Sequence, residues 1–379
     1  MTFEPLTRNV ARTDLLFSGR GKKTTTLFTH SPEGVNGSSA TRTGLGGLTI
    51  ALLATCIALL PGCSGCTSSS GRVVVYSAQD EEFAERLFAS VKTDIGLTVV
   101  PKYDTEANKS VSLAAELEQE AAHPRCDLHW NNEPIGTIRL ARKGVYQKRG
   151  GNSIDDRLWV AFAERARVLM VNTNLVPEAE RPKSLFDLTD PKWKGRVAMA
   201  KPQFGTTATH AACLFEVLGS ENAKAFFRDL KANDVNIVAG NKPVARGVAD
   251  GTFAFGITDT DDAILELLAQ KPVAIVFPDG KGHSKYDRLG TLFLPNTLAI
   301  VRGCPNPDGA KNLIDYLLSK EDILASGGGY QIPVNPELRK HIHPALKTRD
   351  QVKPMNVSFE RAADLWDETL KFLRDEFAR

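Results

Sequence analysis

The chain reads as an α/β protein of two doubly wound α/β lobes joined by two crossover strands, with a ligand cleft between the lobes. Three observations predict this. Residues 72–143 alternate β-branched runs with segments of helical spacing in the order β-α-β-α-β-α, the mark of a parallel sheet wound by helices. Arg165 to Thr173 then forms a long apolar strand with a basic start, and reads as a crossover into a second lobe where the alternation resumes. Thr291 to Val301, broken at Pro295, reads as the return crossing. Such a layout brings strand ends of both lobes to one cleft, and ligands of open α/β sheets bind at strand ends.

The 379 residues, 42% hydrophobic and 24% charged, are ordinary globular material and enough for two domains. The net charge of +2 is unevenly placed. Residues 1–62 hold six Lys/Arg and three acids, which leaves the rest of the chain near neutral and argues against nucleic-acid binding, since that needs a basic surface. Residues 1–44 lack apolar periodicity and are expected to be disordered. Leu45 to Leu60 is an apolar run too short for a membrane span and suited to a signal-peptide core. Leu60-Pro61-Gly62-Cys63 resembles a bacterial lipobox, so residues 45–63 read as a lipoprotein-type signal with Cys63 as the lipid attachment site; an uncleaved anchor is the other reading. The segment ahead of the signal is longer than a signal needs, which points to a later start, at Leu27 or Val35. Residues 64–71 form a small-residue tether. Cys126 and Cys213 read as small buried apolar residues, and no CxxC pair lies in the folded body to indicate zinc.

The folded body opens with the strand Arg72–Tyr76, a helix over 81–93 carrying Phe83, Leu87, Phe88 and Val91 on one face, and a strand at 97–100. A helix over 108–122, a strand at 126–130 and a helix over 135–143 follow. Beyond the crossover come a short helix at 185–188, a strand at 196–200, a loop over 201–207, and helices at 208–218 and 221–232. Next are a strand at 235–238, a helical segment at 244–249, the strand Phe253–Ile257, a helix over 263–270 and a strand at 273–278. After the return crossing, helices are expected at 309–319 and 321–326, and an amphipathic tail helix at 360–377. The lobes are expected to divide as 72–166 plus 297–345 and 167–296 plus 346–379.

The chain is organised around Gly251–Ala263, GTFAFGITDTDDA. A buried strand runs into Thr258-Asp259-Thr260-Asp261-Asp262, a polar turn with three carboxylates and two hydroxyls, and then into a helix. These residues either cap the helix or contact a ligand. Gly205-Thr206-Thr207, where a loop enters a helix, has the backbone N–H groups and hydroxyls of an anion site, or of a plain N-cap. Ser77 and Gln79 follow the first strand, and Asn131, Asn132 and Glu133 follow the third; each faces the cleft or caps a helix. Agreement among four strand-end turns favours ligand binding. Arg165 and Arg167 either neutralise an acidic ligand or pair with Asp155 or Asp156. His210 reads as packing, His283 as solvent-facing, and His341 and His343 fall too late in the chain for the cleft. Neither GxSxG, HExxH nor a Walker motif is present, so no catalytic residue is assigned.

Several segments together resemble the extracellular solute-binding proteins of ABC importers, in the ferric-iron-binding branch of the type II periplasmic binding proteins. They are VVVYSAQD (73–80), NNEP (131–134), RARVLMVN (165–172), DLTDPKWKGRVAMAKP (187–202), GTTATH (205–210), FGITDTDDA (255–263) and PNTLAIVRG (295–303). The resemblance implies an exported, periplasmic or cell-surface, lipid-anchored monomer. Such a protein closes two lobes on its cargo and serves an ABC permease in the inner membrane, without a cofactor. One departure bears on the cargo. The iron binders carry adjacent tyrosines after the organising strand, where this chain has Thr258–Asp262, and no two of its tyrosines are adjacent. Ferric iron held by Asp259, Asp261 and Asp262, or a small phosphorylated or carboxylated solute, are therefore both expected as cargo. A sensory role at a membrane receptor, and a metal-dependent periplasmic enzyme, are the alternatives.

Overall fold

The computed structural model describes residues 71–104, 112–149, 157–326 and 329–377; the expected extension (1–44), the signal with Cys63, and the tether apart from Gly71 lie outside them. Among the described residues no helix is long and apolar enough to cross a membrane.

The first half runs β1 (Arg72–Ser77), α1 (Glu81–Ile95), β2 (Thr98–Tyr103), α2 (Ser112–Gln119), β3 (Leu128–Asn131), α3 (Pro134–Arg142) and β4 (Tyr146–Gln147). The 13-residue strand β5 (Val160–Asn172) leads into the second half. There follow β6 (Val197–Ala200), α4 (Gly205–Leu218), α5 (Ser220–Ala232), β7 (Asn236–Val238), α6 (Asn241–Ala249), β8 (Phe255–Asp259), α7 (Thr260–Leu268) and β9 (Val273–Val276). The strand β10 (Phe293–Val301) returns to α8 (Pro307–Ser319) and α9 (Glu321–Ser326), and the chain ends in α10 (Phe359–Asp364) and α11 (Trp366–Glu376).

The strands follow the order β2-β1-β3-β10-β5-β8-β6-β7. Both flanks are parallel, as βαβ crossovers require. The centre is antiparallel, because β5 and β10 cross in opposite directions. β10 pairs with β3 and with the first part of β5, while the later part of β5 pairs with β8 and β9. The register of β5 and β10 shifts between Pro295 and Asn296, opposite Ala163, whose φ is +39°. This is a bulge with one extra residue in β5. A third segment also crosses: Ile332 bridges to Glu164, and Pro354 bridges to Thr291.

Each half has its own core. Trp130 packs edge-on against Phe162 and Phe88 above β1 and β3, among Val73, Val75, Leu87 and Leu128. In the other half Phe215, Phe226, Phe227, Trp193 and Phe255 pack around β6 and β8. The helix α3 adds Ile135 and Ile138 to this second core, and α10 and α11 cover it with Ala362, Trp366 and Leu373. Cys126, Cys213 and Cys304 are buried and free, so the apolar reading of the first two holds.

Element starts differ from the sequence expectation where polar residues are buried. The helix α4 begins at Gly205 and not at 208, and α7 begins at Thr260 and not at 263. There is no turn over Thr258–Asp262: the strand runs to Asp259, which is itself the N-cap. The side chains that read as a solvated turn find partners inside the protein, so the polar signal carried no loop. The helix α6 begins at Asn241, because Pro243 lies in the first turn, where its missing N–H costs nothing. The tail helix is two helices, broken at Leu365.

In β8, a Cβ on Gly256 would lie 2.8 Å from the carbonyl oxygen of Ala198 and 2.5 Å from Cγ1 of Val244. Gly256→Ala should therefore lower stability by about 1–3 kcal/mol. Urea unfolding checks this as a lower midpoint at unchanged slope.

Candidate functional site

A cleft opens where the strands of both halves end. It encloses about 520 Å³, counting the open space at its mouth. Gln79 and Asp80 after β1, with Asn132 after β3, form one side. The start of α4, the residues 239–241 ahead of α6, and the β8–α7 junction form the other. Arg165 of β5 lies at the floor.

The floor is built on Asp259. One carboxylate oxygen accepts from Nη1 of Arg167 at 2.8 Å. The other accepts from Oγ1 of Thr206 at 2.8 Å, Nδ2 of Asn241 at 3.1 Å and Nε of Arg165 at 3.3 Å. Arg167 is fully buried and also donates to Oδ1 of Asn241 at 2.9 Å and Oγ1 of Thr207 at 3.3 Å. Burial by itself would raise the Asp259 carboxyl, but Arg167 and then Arg165 outweigh it and hold the group below the usual aspartate range. Burial likewise works against the Arg165 charge, and Asp259 and Asp261 more than offset it. Asp259 is thus a neutralised buried carboxylate.

Four helices point their N-termini at this cleft: α1, α4, α6 and α7. None of their N-cap residues, Asp80, Phe204, Gly240 and Asp259, makes a side-chain cap hydrogen bond. Of the helices whose N-caps do not line the cleft, α3, α8 and α10 are capped by Glu133, Asn306 and Ser358, while α5 and α11, whose N-caps are Gly219 and Leu365, also lack a side-chain cap. Gly205 has φ +52°, a value that suits glycine and sets the first turn of α4 against the cleft. Uncapped N–H groups at a helix start are anion donors, and Lys201 adds a cation at the rim.

The cleft brings together Gln79, Asn132, Gly205, Thr206, Thr207, Asp259, Asp261 and Asp262 from the residues singled out in the sequence. It does not take in Ser77, Asn131, Glu133, Thr258 or Thr260. Ser77 accepts from the backbone of Gln79, and Thr260 accepts from the backbone of Ala166. Thr258 donates to the carbonyl of Asn241. Asn131 bonds Glu133 and Thr137. Glu133 caps α3 and accepts from Thr209 of α4 at 2.7 Å, tying the first half of the fold to the second. Its carboxyl is raised by burial.

The arginines were expected to meet an acidic ligand or Asp155 or Asp156, and Arg165 does line the cleft. Both pair with Asp259, whereas Asp155 and Asp156 lie outside the described residues. His210 is buried beside the apolar core and pushed down to about 3 by burial, as packing requires. His283 packs against Phe186 and Tyr286 and is half-buried, with part of it still open to solvent. Sequence reasoning missed Asp80, Lys201, Phe204 and Asn241. Asn241 was legible as a polar residue ahead of a helix start, had Pro243 been taken as a first-turn residue.

Carboxylate oxygens of Asp259, Asp261 and Asp262 lie within 4.8 Å of one another, close enough for a shared metal ion. Asp259, however, already spends both oxygens on two arginines, a threonine and an asparagine. A cation there would have to displace those donors and sit beside two positive charges.

Residues 142–357 match the family of bacterial extracellular solute-binding proteins. Iron uptake protein A1 of Synechocystis sp. is 24% identical over 281 residues, covering 69% of this chain and 75% of its own. Iron-bound HitA from Pseudomonas aeruginosa superposes with a TM-score of 0.67 at 20% identity, over 80% of this chain and 99% of that one. AfuA from Actinobacillus pleuropneumoniae, solved with exogenous fructose-6-phosphate bound, gives 0.69 at 22% identity, over 81% and 98%. The fold is that of the type II periplasmic binding proteins.

Asp259→Asn should cost about 3–5 kcal/mol, because it leaves Arg167 buried without its counter-charge. The wild-type contribution of this lowered carboxyl should be full above the unfolded value of about 4 and fade as pH falls through the lower folded value. Denaturation curves of both proteins across that acid range check it: their difference should shrink towards low pH.

Proposed function

The chain belongs to the bacterial extracellular solute-binding proteins, and from that premise we propose that it captures a small anionic solute by closing two lobes on it and hands the solute to an ABC permease. The observation that carries this reading is the convergence of four uncapped helix N-termini, with Lys201, on a cleft whose most buried acid is already neutralised. Such a floor attracts a phosphate or carboxylate group to Gly205–Thr207 and Gly240–Asn241. Asp80, Asp261 and Asp262 then face the remaining, hydroxyl-bearing part of the solute. No bond is made or broken in this role.

The lobes of the proposal are 72–166 plus 297–345 and 167–296 plus 346–379, hinged on β5 and β10. Closure would join contacts from both sides, such as Gln79 and Asn132 with Thr206 and Asp261. Cys63 would carry a lipid that holds the monomer at the outer face of the cytoplasmic membrane, in the periplasm or at the cell surface. A membrane receptor in place of the permease would use the same closed form. The second reading of the cargo, ferric iron on Asp259, Asp261 and Asp262, is favoured by the grouping of these carboxylates and by the name of the Synechocystis relative.

Tryptophan fluorescence separates the two cargoes. Titration with fructose 6-phosphate, and with other sugar phosphates and carboxylates, should give a saturable change that EDTA leaves intact. A saturable response to ferric citrate alone would replace the anionic reading by the metal one. Lys201→Ala and Thr206→Ala should each weaken binding of the responding sugar phosphate by about tenfold, the worth of a charge-assisted hydrogen bond. Unchanged affinity in both would remove the anion assignment.

A further inference from the structure

Gln331 lies on the third crossing of the chain, directly after Tyr330, whose φ is +46°. It is fully buried and does not line the cleft. Its side chain nevertheless joins cleft residues from opposite sides. Nε2 donates to Oε1 of Gln79 at 3.1 Å and to Oδ2 of Asp261 at 3.3 Å, while Oε1 accepts from Nδ2 of Asn296 at 2.7 Å.

A chain of amides has two senses, and here the far end sets one. Nδ2 of Asn296 donates to the carbonyl of Ala163 at 3.1 Å, and Oδ1 of Asn296 accepts from Nη1 of Arg165 at 3.1 Å. A carbonyl only accepts and a guanidinium only donates, so Asn296 has a single orientation. The second Nδ2 hydrogen of Asn296 goes to Gln331, which must take it with oxygen and present nitrogen to Gln79 and Asp261. The Asp261 carboxylate, an acceptor, agrees with that sense. Gln79 therefore spends its oxygen on Gln331 and turns its Nε2 to the cleft that it lines. The sense originates at the bulge, where Ala163 has no partner in the β5–β10 ladder and its carbonyl serves Asn296 instead.

We infer that Gln331 is a positioning residue that makes Gln79 a hydrogen-bond donor to the solute. A solute must then bring an acceptor, a phosphoryl, carboxylate or hydroxyl oxygen, to the side of the cleft formed by β1 and β3; a group that can only donate, such as an ammonium, is rejected at that point. The inference rests on the cleft being the solute site.

Two measurements test it. Neutron diffraction from deuterated crystals of the solute-free protein locates the amide deuterons directly. The expected map places the Gln331 deuterons towards Gln79 and Asp261, and those of Gln79 in the cleft. Gln79 deuterons aimed at Gln331 would overturn the inference whatever the solute is. Calorimetric titration with fructose 6-phosphate then compares wild type, Gln331→Met, Gln79→Ala and the double variant. Each single change should weaken binding about 3- to 10-fold, the worth of one hydrogen bond. The double variant should be no weaker than Gln79→Ala, because Gln331 acts through Gln79. Losses that multiply would show a separate structural role and sink the proposal. Absence of fructose 6-phosphate binding by wild type would count against the anionic reading of the site, and the neutron map would still decide the polarity of Gln79.

Discussion

The pairing of Asp259 with Arg167 is the constraint on which the rest of the cleft depends. Two charges out of contact with water hold only while both are present and their remaining hydrogen-bonding groups are met. Thr206, Thr207 and Asn241 meet all of these except Nε of Arg167, which has no partner among the described residues, and each of the three lies in the first turn of a helix. The charge pair thereby fixes the starts of α4 and α6 against the ends of β5 and β8. It also accounts for the burial of Asp259, whose neighbours Thr258 and Thr260 are buried with bonds of their own to the backbone of Asn241 and Ala166.

Movement between the halves is confined by what crosses between them. The strands β5 and β10 are continuous through both halves and paired side by side, so they behave as one ribbon. The bulge at Ala163 bends that ribbon beside the cleft floor. Away from the cleft, Thr209 of α4 meets the buried Glu133 at the start of α3. The helices α10 and α11 reach from the second core to α3 through Arg139–Asp367 and Arg142–Asp364. These last pairs are largely exposed and individually weak. The buried Glu133 contact and the apolar packing of Ile135 and Ile138 are the stronger ties.

The same fold holds different cargoes, as the iron-bound and sugar-phosphate-bound structures it resembles illustrate. In this chain the local chemistry that bears on the cargo lies at the end of β8. Where a cation site needs carboxylates that are free to give up their lone pairs, Asp259 has given its lone pairs to two guanidinium groups. Where an anion site needs N–H donors, four helix starts face the cleft without a side-chain bond from their N-cap residue, although in α7 the Asp262 N–H is already taken by Asp261. The positive ends of those helices act at short range and in a poorly solvated space, where partial charges count for more than at the surface.

The sequence by itself determined the two-lobed α/β architecture, the two crossing strands and most of the helices. Those depend on apolar periodicity, which is local and is set by burial of one face. It also placed Gly205–Thr207 and Asp259–Asp262 between a strand and a helix, because polar residues that interrupt an apolar run are a local signal, but it did not show that these residues already belong to strand or helix. Only the tertiary structure decided which polar residues face the cleft. Glu133 and Asp261 look alike as acids near helix starts, yet one is turned inward to Thr209 and the other lines the cleft. Arg167 and Asp259 stand 92 residues apart, so no local pattern could join them. The sense of the Gln331 amide depends on Ala163, Asn296 and Asp261, brought together from three distant segments by the pairing of β5 with β10 and with β8 and by the third crossing. Long-range hydrogen bonds of this kind leave no periodic trace in a single sequence, because each partner is an ordinary polar residue until the fold supplies its neighbour.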